Sequence, residues 1–260
     1  MSGGSWYNSS FSYRWPVAVH VQASGSGSHN KDVEIVIPAK WDAFWSNIQS
    51  NGYDIYCVDN DCNLLVQNRS GFNYANRTLT MRVQNLPVVA SATSDRTYII
   101  YIYWGNPSAA NSDTVFTPSS PLSGQIFLGR PTNLIAADNN ISRGGEAPPA
   151  VFIKPESNQQ YAWFKFGNLL SKRISTYNKF LFYEGVQYVE AAALNPDGSS
   201  ITLVDGMKTR FLPGYVGIFI VNGGANGQDY QVNAKVQTTE EQTFNLKATL
   251  SIRDLLPASR

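Results

Sequence analysis

The chain has 260 residues, of which 43% are hydrophobic, 13% aromatic and only 15% charged. Twenty Lys and Arg stand against 19 Asp and Glu, a net charge of +1. Ordinary soluble proteins carry roughly 25% charged residues, and binders of nucleic acid or anionic membrane show a basic excess. The balance therefore argues against nucleic acid and membrane as partners and rests any function on shape and neutral polar groups.

The chain opens Met1-Ser2-Gly3-Gly4-Ser5-Trp6-Tyr7-Asn8, without the basic and apolar regions of a secretory signal, and no cleaved signal is expected. Period-two alternation follows, broken by turn residues, which reads as strands. Arg14–Gln22 alternates through Trp15, Val17, Val19 and Val21; Ser24–Ser28 reads as a loop, and Val33–Ile37 as a second strand ended by Pro38. Trp41, Phe44, Trp45 and Ile48 then fall at i, i+3, i+4 and i+7, between Pro38 and Gly52, predicting one short helix near 39–50.

Further strands are expected at Asp54–Val58, Asn63–Gln67, Leu79–Val83 and Thr97–Trp104. The run Tyr98–Trp104 is the longest apolar stretch, far short of the roughly 18 residues a membrane helix needs. Residues 117–131, rich in Pro, read as a strand pair or connector. Residues 139–150, polar and Gly/Pro-rich, are the best linker. After it alternation resumes at 159–166, 179–183, 186–192, 201–204, 207–212, 215–221, 229–237 and 243–252, with marked turns such as Asn195–Gly198 and Pro213–Gly214. In the last strand Phe244, Leu246, Ala248, Leu250 and Ile252 share one face. The expected fold is mainly β: two antiparallel β-sandwich domains of jelly-roll or immunoglobulin-like kind, 1–138 and 151–260, joined by the linker 139–150.

Cys57 and Cys62 flank a turn tetrad. Two reduced thiols or a short-loop disulfide both fit, whereas zinc would need four ligands and only His20 and His29 could add to the pair. Asp59, Asn60 and Asp61 supply too few oxygens for a recognisable calcium loop. His20, in an alternating strand, reads as facing solvent or a rim; His29 lies in a polar loop, and neither is held as a general base must be. Asp54, Glu184, Glu190 and Asp205 are the carboxylates available for hydrolysis, but nothing in the sequence pairs them. The segment Asn222–Gly227 lacks the Lys-Ser/Thr ending of a phosphate loop. The triplets beginning at Asn8, Asn68, Asn76 and Asn140 read as chance glycosylation motifs. No catalytic residue, metal or cofactor is expected.

In the first half, Trp6-Tyr7-Asn8 with Tyr13-Arg14 precedes Gly52-Tyr53-Asp54-Ile55-Tyr56. Asp59-Asn60-Asp61-Cys62-Asn63-Leu64-Leu65 follows, then Tyr101-Ile102-Tyr103-Trp104-Gly105-Asn106-Pro107. In order and spacing these residues resemble domain-of-unknown-function family 2341, found in bacterial and archaeal surface proteins. The resemblance covers about residues 6–116. Tyr56 and Trp104 depart from the family's pattern. It implies a lectin-like β-sandwich and carries no catalytic residue.

The aromatics Trp6, Tyr7, Tyr101, Tyr103 and Trp104 are the candidate contacts with glycans or other subunits, with core packing as the simpler explanation for many of them. The functional expectation is a non-enzymatic structural protein of a bacteriophage particle, located in the virion as a decoration, tail or baseplate component. It would contact virion proteins or copies of itself. The second expectation is a carbohydrate-binding module. Scarcity of charge around Tyr98–Trp104 and Tyr215–Val221 reads as edge strands meant to be covered by neighbours.

Overall fold

A computed structural model describes residues 6–25, 27–129, 134–135, 150–165, 173–174, 181–182, 186–238 and 243–254. They form β1 (Tyr13–Val21), β2 (Gly27–Val36), α1 (Asp42–Trp45), β3 (Tyr56–Val58), β4 (Val66–Asn73), β5 (Thr78–Ala90), β6 (Arg96–Trp104) and β7 (Leu122–Gln125). Next come β8 (Leu134–Ile135), β9 (Ala150–Lys154), β10 (Gln160–Lys165), β11 (Arg173–Ile174), β12 (Leu181–Phe182), β13 (Val186–Leu194) and β14 (Ser200–Ile201). The series ends with β15 (Val204–Leu212), β16 (Tyr215–Ile220), β17 (Asp229–Thr238) and β18 (Thr243–Ile252). The protein is mainly β, with one large mixed sheet, a smaller sheet β15-β16-β10-β8 and the short pair β11–β12. Among the described residues no helix is long and apolar enough to cross a membrane.

β6 organises the large sheet. One edge pairs along its whole length with β1, from Tyr13 opposite Trp104 to Val21 opposite Arg96. The other edge is divided: Arg96–Tyr98 pair with β13, and Tyr101–Tyr103 with β3. From β1 the bonding passes to β7, β2, β5 and β4, and one isolated bridge, Val58–Leu64, joins β3 to the residues just before β4. The circuit closes around a first core that includes Val17, Val19, Ile35, Met81, Ile100 and Ile102. Gly124 of β7 lies so close to this core that a Cβ would sit 2.5 Å from Ile35 Cγ1. On the far side of β13 the large sheet runs on through β17 and β18 to β9.

Because side chains alternate along a strand, β1 and β6 serve two cores. Ala18 and Ile99 point away from the first core and join a second, with Val189, Val232, Leu246 and Leu250 of the large sheet and Phe164, Val216 and Ile218 of the small one. The final strand follows its alternation: Leu246, Ala248, Leu250 and Ile252 are buried, with Phe244 partly so.

Three expectations change. The helix is one turn, Asp42–Trp45, although Trp41, Phe44, Trp45 and Ile48 are all buried as its spacing requires. Ser46 Oγ and Asn47 Nδ2 donate back to the carbonyls of Asp42 and Ala43, competing with continuation of the helix. The uncharged strands at 98–104 and 215–221 are not edges, since β6 is paired on both sides and β16 lies between β15 and β10. Part of the Ser24–Ser28 loop is strand, as β2 starts at Gly27. Residues 139–149 of the expected linker lie outside the described residues, and Ala150 opens β9.

Candidate interaction surfaces

Residues 6–12 fold back as a strap over the outer side of β6 and β3. A turn at Asn8, closed by the Phe11 amide donating to its carbonyl (3.1 Å), returns the chain, and Trp6 Nε1 donates to the Phe11 carbonyl (2.9 Å). Phe11 thereby lies 4.9 Å from the Tyr56 ring and 5.9 Å from the Tyr103 ring. Trp6 and Tyr7 meet Tyr103 edge-on at 5.2 and 5.9 Å. Arg14 completes the group, its guanidinium 5.1 Å from the Trp6 ring and 4.9 Å from that of Tyr101, while Nη1 donates to the Tyr103 hydroxyl (3.1 Å). Burial works against the Arg14 charge, but Tyr101 and Tyr103 outweigh it and hold its pKa above the ordinary value. Burial likewise raises the Tyr7, Tyr101 and Tyr103 phenols, with Arg14 opposing it at the last two.

The structure thus brings together Trp6, Tyr7, Tyr101 and Tyr103 and sends Trp104 to the opposite face. There Trp104 stacks on Tyr13 (5.4 Å) and meets Trp41 and Phe44 edge-on at 5.0 and 5.3 Å. Tyr103 and Trp104 are 1% and 3% exposed, so both spend their rings on packing. Trp6, Tyr7 and Tyr101 are partly exposed, and the most exposed aromatics among the described residues are others: Tyr13, Tyr53 and Tyr74, 36–41% exposed.

Cys57 and Cys62 are both thiols, and burial pushes the Cys57 thiol far up. The hairpin register places Leu65 across from Cys57 and Asn63 across from Asp59, which leaves Cys62 in the turn at φ 63°. His20 is not at a rim. It is 6% exposed on the second-core side of β1, with Nδ1 3.0 Å from Thr97 Oγ1 and Nε2 3.3 Å from Gln125 Oε1. Burial lowers its pKa, against the pull of Gln125, Asp205 and Asp95.

The candidate carboxylates with described positions have structural partners. Asp54, 1% exposed, accepts the amides of Gln49 (2.8 Å) and Gly105 (2.9 Å). Glu190 bridges Arg96 (2.7 Å) and Lys235 (3.6 Å), and Asp205 pairs with Lys208 (3.2 Å). Glu184 lies outside the described residues. Among the described residues no three His, Cys, Asp or Glu side chains form a group that could hold a metal ion.

One surface escaped the sequence reading. β9 pairs in parallel with β18 and ends the order of the large sheet. Phe152 packs on the second core, while Val151 and Ile153 point outward, 62% and 57% exposed. The strand's one charge, Lys154, is wholly buried, and its ammonium donates to the carbonyls of Pro155, Glu156 and Gly223 at 3.0–3.3 Å. The signal was the short run Ala-Val-Phe-Ile directly after Pro148-Pro149, of which Ala150 was counted in the linker and the rest in no strand.

No protein-family model matches the chain, and no curated protein matches it.

Proposed function

We propose that the chain is a non-enzymatic structural subunit of a bacteriophage particle, acting through contacts with copies of itself or with other virion proteins. The observation that carries this reading is the β9 edge: its outward side chains, Val151 and Ile153, are apolar and over half exposed. Natural proteins generally blunt such an edge with charge, Pro or a covering segment, and an edge left apolar suits a strand that a neighbour covers. On this reading the two cores are the two sandwich-like units expected from the sequence, joined through β6, and the likeness of residues 6–116 to family 2341 concerns the first of them. Mass spectrometry of purified particles tests the proposal. The expected result is the chain as a stoichiometric component, with incorporation lost in a Val151→Lys, Ile153→Lys variant; absence of the wild-type chain from particles would sink it.

Glycan recognition is the second reading. The accessible rings of Tyr13, Tyr53 and Tyr74 favour it, since exposed aromatic faces can stack on sugars. A glycan array with a Tyr53→Ala control decides it, and silence across the array removes it.

A further inference from the structure

On the side of the small sheet away from the second core, rings and cations combine: Trp163 is buried there, Arg210 lies 5.2 Å from the Phe127 ring, and the Lys208 end is open to solvent. Tyr161 pairs with Phe219 and Trp163 with Gly217, so Trp163 can lie over a residue whose Cβ would come within 3.0 Å of its ring. The Tyr161 and Phe219 rings are 5.0 Å apart. Arg210 stands 4.2 Å from the Tyr161 centroid, and Lys208 4.6 Å from that of Phe219. The Tyr161 hydroxyl donates to the Lys208 carbonyl (3.1 Å), which fixes the ladder of rings and cations. One carboxylate, Asp205, answers Lys208, whose side chain is still 55% exposed. Arg210 has no carboxylate partner among the described residues, and its Nε is buried without a hydrogen bond. Aromatic residues and Arg are the types enriched where protein surfaces bind one another.

The opposite sign gathers elsewhere. Where β6 passes from β13 to β3, Ile99 and Ile100 have no strand beside them on that edge, and a cleft of about 100 Å³ opens there against the turn Asp59-Asn60-Asp61. Asn60 Nδ2 donates to the Ile99 carbonyl (2.7 Å), whereas its Oδ1 is buried without a donor. Asp59 accepts the amides of Asp61 (2.9 Å) and Asn63 (2.8 Å), which holds the turn and leaves the Asp61 side chain exposed. Neither aspartate has a cationic partner among the described residues.

We infer that the small-sheet face of one copy receives the acidic turn 59–61 of a second copy. The inference rests on the reading of the chain as an assembly subunit and names the partner. A surplus of one positive charge on one surface and unpaired aspartates on another fit a head-to-tail contact, which closes into a ring or extends into a filament. Complementary charge also fixes register and disfavours wrong partners.

Sedimentation velocity over a concentration series tests it with the full chain. Wild-type self-association is expected, weakening from about 50 mM to about 500 mM salt. Lys208→Glu and Asp61→Lys, both at exposed side chains, should each weaken it about tenfold. Mixed together, the two variants should associate again, because the intact acidic turn of the Lys208→Glu chain meets the intact basic face of the Asp61→Lys chain. Circular dichroism monitors folding, and Lys208→Ala should reproduce the loss if the reversal unfolds the chain. A wild-type chain that stays monomeric, reversed variants that associate as wild type, or a mixture no better than its parts would overturn the inference. Those outcomes leave the particle test of the β9 proposal untouched, so the two failures are distinguishable.

Discussion

Around the first core, strands are tied together by polar side chains that reach backbone groups, whereas around the second the ladders largely satisfy themselves. Gln67 is wholly buried, accepts the Cys57 amide, and donates to the Ile55 carbonyl (2.8 Å) and Ser112 Oγ (2.9 Å). Arg69 pairs with Asp113 (2.9 Å) and donates to the Gly52 carbonyl, and Asp54 joins the segment after α1 to the end of β6. In the second region β13, β17 and β18 form long antiparallel ladders, with a register shift between Val186 and Tyr188, and Val232, Ala234 and Val236 face Leu246 and its neighbours. Closing a circuit of strands through irregular loops leaves buried amides and carbonyls off the ladder, and each must find a partner. Long paired ladders meet most of that demand by their pairing.

The comparison can be broken most directly at its polar ties. Gln67→Leu should cost about 3 kcal/mol in urea unfolding, because the Cys57 amide and Ile55 carbonyl stay buried without partners. Gln231→Leu, on the outer ladder of the second region, should stay within about 0.5 kcal/mol. Equal costs would dissolve the distinction.

Lys154 is the exception in the second region, a buried charge that ties β9 to the loop at Gly223. Lys154→Met should cost about 1–3 kcal/mol by leaving three carbonyls without their donor. A neutral result would show that β9 is held by its pairing with β18.

The smallest effect is expected at His20, between the two regions. Burial favours its neutral form in the folded chain, so the unfolded chain takes up the proton first as pH falls. Its contribution is complete above about pH 6.5 and declines as pH drops through the lower folded-state value. Urea midpoints at about pH 5 and pH 7.5 should therefore separate in the wild type and draw together in His20→Gln; an unchanged separation would assign the acid sensitivity elsewhere.

The same contrast decides what could be read from the sequence. Alternation gave the strand at 243–252 almost residue by residue, because one face of that ladder is buried. Period-two alternation also requires residues 98–104 to divide between two faces. It could not show that Trp104 faces Trp41 while Tyr103 faces Trp6, since that depends on which partner covers each side. Gln67, Arg69 and Asp54 carry no local pattern, as their partners lie 5 to 51 residues away in the chain. His20 was misplaced for a similar reason: alternation puts it opposite Val19 and Val21, but only tertiary structure covers that second face. The edges expected from scarcity of charge lie elsewhere. The strands poor in charge at 98–104 and 215–221 are interior, and the unprotected edge is the shorter β9, whose lone charge points inward.

The divided edge of β6 has a consequence for how the molecule comes apart. Its first residues are held by β13 and its later ones by β3, and its two faces feed both cores. Peeling β13 away bares Ile99 and Ala18 to water, and opening the first circuit removes the support beneath β13. Neither region can be lost without charging the other for it, so β6 couples them into one cooperative unit. The β6 amides that bond to β1, the edge paired along its whole length, are then expected among the last to exchange.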